Sequence, residues 1–189
     1  MPRPQSVQDD ELLTRLAGVF RRTGFEGASL GALAEAAQLR RASLYHRFPD
    51  GKAQMAEAVL ARVEALLGEV LQPMRDTPDV TEGVAETAKR IGEFYGGGLL
   101  PCVLDTLTLA GTPDSVRNRA AGVATTWIEA MAAAAVRAGC PPDEARARAE
   151  DAFAHLEGGL VYSRLFSDST AFQRAAADLP RQLLGGSPA

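Results

Sequence analysis

Two cysteines, two histidines and one tryptophan in 189 residues leave little material for several kinds of chemistry. Cys102 and Cys140 permit one disulfide by arithmetic, but Met1–Glu11 lack the apolar core of a secretory signal, so both are expected as reduced thiols in the cytosol. Neither has a partner at metal-ligand spacing. His46 and His155 fall in unrelated contexts with no carboxylate cluster around them, which argues against a metal site and against a Ser–His–Asp arrangement. Gly96-Gly97-Gly98 leads into Leu-Leu-Pro and follows no strand, so it is not a phosphate cradle. No apolar run approaches the ~18 residues that a membrane span needs. The Ala-rich stretch around Met131 comes closest and is interrupted by Glu129 and Arg137. Sustained Val/Ile/Thr alternation is also missing, so no sheet is expected. These gaps point away from an enzyme, a cofactor and a membrane protein.

What is present is an ordinary soluble composition, 46% apolar and 23% charged, enough to bury a core without disulfide staples. Net charge is −4, yet its distribution is uneven. Residues 1–60 hold eight Lys/Arg against seven Asp/Glu, and residues 61–189 hold twelve against seventeen. Between Gln38 and Lys52 the basic residues Arg40, Arg41, Arg47 and Lys52 face only Asp50. A basic head on an acidic body can still meet a phosphate backbone, because repulsion is screened beyond about 8–10 Å at cellular salt.

Helical spacing runs through the chain. Leu12, Leu16 and Phe20 stripe a first helix from about Asp9 to Thr23, with Asp9, Asp10 and Glu11 at its positive end and Gly24 as its stop. Ser29 is a good N-cap for a short helix Leu30–Ala37, and another follows at about Arg41–Phe48 before Pro49-Asp50-Gly51. A fourth helix is expected from Lys52 to Leu71, stopping before Pro73. Further helices read at about Val80–Tyr95, Leu100–Ala110, Pro113–Ala138, Asp143–Phe166 and Thr170–Leu184. Nine helices with short connections make an all-α fold.

The informative stretch is Ser29–Lys52, SLGALAEAAQLRRASLYHRFPDGK. Two short amphipathic helices flank a tight turn at Gln38-Leu39-Arg40. Leu33, Ala34, Ala37, Leu39 and Leu44 have the spacing that packs them together, and Ala34 is small enough for a close crossing. A helix-turn-helix presents its second helix to the DNA major groove in this way. Arg40, Arg41 and Ser43 stand at the start of that helix, where base edges are met, and Arg suits a bidentate contact to guanine. Arg47, one turn on, suits the backbone.

Thr23-Gly24-Phe25, Ala28-Ser29-Leu30, Ala34-Glu35-Ala36-Ala37 and Ser43-Leu44-Tyr45-His46-Arg47-Phe48-Pro49 together resemble the N-terminal domain of the TetR family of transcriptional regulators. Phe48-Pro49-Asp50-Gly51-Lys52 resembles the form found in its LmrA/YxaF-like branch. The specific likeness covers about 50–60 residues, and beyond it only helix number and texture correspond. The resemblance implies phosphate contacts from Tyr45, His46 and Lys52, the last beside a helix N-terminus, and a cap with a possible phosphate contact from Ser29. Two positions depart from the family pattern. Gln38 stands where Gly is usual, which implies about 1 kcal/mol of left-handed strain. Arg40 stands where a small capping hydroxyl is usual.

The resemblance further implies a DNA-binding domain at 1–60 and a ligand-binding and dimerisation domain at 61–189. Phe94, Tyr95, Leu104, Leu107, Trp127, Met131, Phe153, His155 and Tyr162 are plain core candidates one by one. As a set they would line the apolar inducer pocket that the family implies. His155 by itself reads as an interior or interface histidine. The two long helices Pro113–Ala138 and Asp143–Phe166, rich in Ala and Gly, would form the homodimer interface. The expectation is a cytoplasmic regulator, most simply a repressor, that grips palindromic double-stranded operator DNA as a dimer and is released by a small hydrophobic inducer. An enzyme, and a helical binding protein without DNA affinity, are the rival classes; a gel shift separates them from the regulator.

Overall fold

The computed structural model describes residues 5–185, with side chains from residue 9. All secondary structure among the described residues is helical. The helices are α1 (Gln5–Gly27), α2 (Leu30–Ala37), α3 (Arg41–Arg47), α4 (Lys52–Asp76), α5 (Val80–Phe94), α6 (Val103–Thr106), α7 (Asp114–Arg137), α8 (Pro142–Phe166) and α9 (Thr170–Leu184). A single 3-10 turn, Gly96–Gly98, follows α5. Two compact units are built from them: everything up to Ala65 together with Val103–Val123, and Leu66–Cys102 together with the chain from Ala124 on. The segment carrying α6 therefore packs with the head, although it lies far from it in sequence.

In the first unit α1 buries Leu12, Leu16, Val19 and Phe20, the expected stripe. The helix begins a turn earlier than Asp9, so Asp9 lies within it rather than at its cap. Its regular path breaks at Gly24, whose φ of 64° and ψ of −172° suit a residue without a β-carbon. A β-carbon at Gly24 would stand 3.2 Å from the Thr106 carbonyl oxygen, which is how closely α6 approaches. Beyond the break Phe25 lies parallel to Phe20, ring centres 6.4 Å apart.

Pro73 does not end α4, contrary to expectation; the helix continues to Asp76. Proline removes the N–H that would bind the carbonyl four residues earlier. That carbonyl, on Glu69, instead accepts from Arg90 Nη1 at 3.2 Å. The Met74 amide donates to Thr87 Oγ1 at 3.0 Å. Arg137 Nη1 donates to the Met74 and Arg75 carbonyls at 2.7 and 3.0 Å, and Nη2 donates to the Thr77 carbonyl. The helix end is thus satisfied by side chains from α5 and α7, which replaces the stop signal by a splice. Gly83 of α5 makes this possible at close range: a β-carbon there would lie 2.5 Å from the Pro73 carbonyl oxygen.

The expected helix Leu100–Ala110 contracts to the four residues of α6. Pro101 supplies no amide, and Thr106 and Thr108 donate their hydroxyls to the nearby Val103 and Asp105 carbonyls, a local alternative to helix propagation. In the second unit Tyr95 and Trp127 are nearly parallel at 6.3 Å, Phe153 meets Trp127 edge-on at 5.3 Å, and Phe172 meets Tyr95 edge-on at 5.7 Å.

Two glycines of α5 test the Pro73 junction. Gly83→Ala should lower stability by about 1–3 kcal/mol, because backbone must move. Gly92→Ala, with nothing within 4 Å of the new methyl, should be neutral or stabilise by up to about 1 kcal/mol through helix propensity. Chemical denaturation of the two variants should give shifts of opposite sign or clearly different size. Equal shifts would contradict the close approach.

Candidate nucleic-acid interface

Ser29 caps α2 as its residue type predicts, accepting the Ala32 amide at 3.1 Å. Leu33, Ala34 and Ala37 of α2 and Leu44 of α3 are buried, with Leu39 half-buried in the turn. Gln38 adopts φ 55° and ψ 37°, the left-handed conformation foreseen for it. Its amide and that of Leu39 close the end of α2 onto the Glu35 and Ala34 carbonyls at 3.0 Å each. Arg40 occupies the N-cap of α3 without a side-chain hydrogen bond, so the first turn of α3 lacks the usual cap.

In α3 only Leu44 is buried. Arg41, Ser43, Tyr45 and His46 are exposed, as is Arg40 before them. Tyr45 is 44% exposed, so its ring is not part of the core. The Arg41 guanidinium folds back toward the start of α2: a β-carbon on Gly31 would lie 2.9 Å from Arg41 Nη2 and 3.7 Å from Ser29 Oγ. Ser29, Gly31 and Arg41 thereby gather a hydroxyl and a cation at one helix start.

Arg47 and Lys52 are placed differently from the exposed set. Arg47 is paired with Asp9 of α1, and Arg62 of α4 with Asp10 at 3.2 Å. Their position in the sequence accounts for both acids only as companions of the α1 dipole. Nothing in sequence signals a pair across 38 positions, although a basic residue on a short helix beside an acidic one elsewhere is the type of residue to suspect. Lys52 is half-buried. Its Nζ donates to the Phe25 carbonyl at 2.8 Å and sits 4.3 Å above the Phe25 ring centre. It fastens the start of α4 to the end of α1, a role that sequence reasoning missed.

Residues 12–59 match the model described as bacterial regulatory proteins, tetR family. Residues 73–178 match the C-terminal domain of LmrA/YxaF-like transcriptional regulators, more than half the chain. The chain belongs to the TetR family. It is 23% identical to the HTH-type transcriptional regulator LmrA of Bacillus subtilis (strain 168) over 178 residues, 90% of this chain and 94% of that one. A TetR transcriptional regulator from Legionella pneumophila superposes with a TM-score of 0.83 at 18% identity, covering 97% of this chain and 98% of that one. The TetR family regulator CifR, solved as a cysteine mutant with a 26-bp operator duplex, gives 0.72 at 25% identity over 91% of this chain and 95% of its own. As a TetR family member the chain is a DNA-binding transcriptional regulator whose helix-turn-helix is α2 and α3.

The candidate ligand set divides in the TetR-like body. Phe94, Tyr95, Trp127 and Phe153 form one aromatic cluster. Met131 is buried on α7, while Leu104 and Leu107 are buried in the unit that holds the head. His155 and Tyr162 are exposed and do not join the cluster; they border an open groove of about 730 Å³ along α8 and α9, with Ala154, Gly158, Arg174 and Asp178. His155 is thus no interior residue. Cys102 is buried and Cys140 half-buried, and no disulfide joins them. Among the described residues no three His, Cys, Asp or Glu gather to hold a metal, and no helix is long and apolar enough to cross a membrane.

Restoring the two departures from the family pattern should stabilise the head. Gln38→Gly relieves a left-handed side-chain residue and should raise stability by about 1 kcal/mol. Arg40→Ser supplies the missing cap and should add about 0.5–2 kcal/mol. Thermal unfolding of each variant reads this directly. Destabilisation by Gln38→Gly would show that the Gln side chain contributes more than its backbone costs.

Proposed function

We propose that the protein is a cytoplasmic repressor that binds a palindromic operator as a homodimer and is released by an apolar or aromatic small molecule. The observation that carries the DNA-binding half is the face of α3, where Arg40, Arg41, Ser43, Tyr45 and His46 are all exposed while Leu44 alone anchors the helix. Arg40 is the base-reading residue in this account, because the Arg41 guanidinium lies back against Ser29 and Gly31, where a backbone phosphate would meet α2. Tyr45 and His46 supply phosphate contacts. Arg47 exchanges Asp9 for a phosphate, and Lys52 holds α4 in place more than it holds DNA. Residues 1–60 bind DNA and residues 61–189 bind the ligand and the second subunit.

Support for the dimer comes from α8. Tyr162, Leu165 and Phe166 are 42%, 69% and 63% exposed, and the groove between α8 and α9 mixes Ala and Gly with Arg174 and Asp178. We therefore assign the interface to α8 with α9, where α7 with α8 had been expected. A two-fold dimer presents two α3 helices to a palindromic site. The operator complex of CifR supports the same mode of binding.

The test is a gel shift with the duplex upstream of the protein's own gene. With about 6–10 phosphate contacts per dimer, affinity should fall roughly 10³–10⁵-fold between 50 and 200 mM salt. A flat salt dependence, or no shift at any salt, would sink the assignment. Specificity separates the roles within α3. Arg40→Ala should cost about 1–3 kcal/mol and relax preference at one operator position, whereas Tyr45→Phe should weaken all duplexes alike. An unchanged preference profile for Arg40→Ala would move Arg40 to the backbone class.

A further inference from the structure

Trp127 is the chain's only tryptophan, and its side chain is 1% exposed. Its indole Nε1 has no hydrogen-bond partner. More than nine in ten buried polar groups are paired, and an unpaired buried donor is costly. A phenylalanine would fill the ring position at Trp127 without that cost. A buried water is a poor explanation, because it needs two to four polar partners. The rings of Tyr95 and Phe153 flank the indole, at 6.3 and 5.3 Å between centres, and offer it aromatic faces and edges. The hydroxyl of the cluster, on Tyr95, donates to Cys102 Sγ at 3.5 Å.

We propose that Trp127 Nε1 is the recognition donor for a guest of the body: an apolar molecule carrying one hydrogen-bond acceptor oxygen, a carbonyl or an ether. The inference rests on the inducer reading above and gives that inducer a chemical class. The aromatic cluster supplies the apolar surface, and the single unpaired N–H fixes where the oxygen must sit. The same donor discriminates against pure hydrocarbons, because a site built to donate loses affinity for the analogue that lacks the acceptor. The rings are closely packed around the indole in this structure. Entry therefore requires a more open state of the body, and the guest favours that state by binding it.

Cys102 directly precedes Val103, where the head's own segment begins, and α7 runs from the head unit into the body unit. A guest beside Trp127 thus acts on a helix that both units share.

The experiment uses the full chain, isotope-labelled, whose one indole N–H gives one resonance. Benzophenone and diphenylmethane serve as probes, since they share two rings and differ by a carbonyl against a methylene. Benzophenone should move the indole resonance downfield and bind about tenfold more tightly than diphenylmethane, the worth of one hydrogen bond. Trp127→Phe keeps an aromatic ring, and calorimetry on that variant should show the two probes binding alike. Equal affinities in the wild type would overturn the proposal. So would an indole resonance unmoved by either probe, or a cross-peak to water showing that Nε1–H is already occupied. If both probes bind equally and both weaken operator binding, the inducer reading stands and the acceptor claim falls. If benzophenone binds through Trp127 and operator affinity is unchanged, the donor site stands and the inducer reading falls.

Discussion

A seven-residue helix with one buried side chain cannot hold its own direction in water. Isolated helices shorter than about 12–15 residues are marginal, and α3 buries Leu44 alone. Its orientation is therefore imposed from outside. On one side Gln38 turns the chain through a left-handed residue and sets the crossing with α2. On the other, the buried Phe48 and the turn to Gly51 lead into α4, whose first residue is fastened to the end of α1 by Lys52. The break at Gly24 is what turns the Phe25 carbonyl and ring toward that lysine. The exposed face of α3 carries Arg41, Ser43, Tyr45 and His46, none of them buried.

Charge in the head is arranged in two grades. The Arg47–Asp9 and Arg62–Asp10 pairs are partly exposed, the class of ion pair that contributes about 0–1 kcal/mol. Such pairs order the free protein cheaply and yield to a stronger acceptor such as a phosphate. Arg40 has no such partner in the cap geometry, and Arg41 already lies where α2 begins. In the DNA complex proposed above, Arg40 and Arg41 would meet DNA directly, and Arg47 only on giving up Asp9.

How much of this the sequence disclosed depends on the range of each signal. The bounds of α2 are those expected, because Ser29, the apolar spacing and the tight turn are all local. The extension of α4 through Pro73 was illegible, because Thr87, Arg90 and Arg137 act from 13, 21 and 63 residues away. The shrinkage of α6 came from threonine hydroxyls competing for carbonyls, which apolar periodicity does not register. For the site, the exposed α3 residues followed from the motif, whereas the internal tie of Lys52 depended on where Phe25 goes after Gly24. Of the aromatic candidates, Phe94, Tyr95, Trp127 and Phe153 come together as one cluster. Composition does not tell which face of α8 carries His155 and Tyr162, and both face outward.

The central claim is that α3 enters the major groove from each half of a two-fold dimer. Hydroxyl-radical footprinting on the upstream duplex tests it most directly. The account predicts two protected tracts of related sequence, centred an integral number of helical turns apart at about 34–36 Å per turn. A single tract, or protection that follows no helical phase, would contradict it.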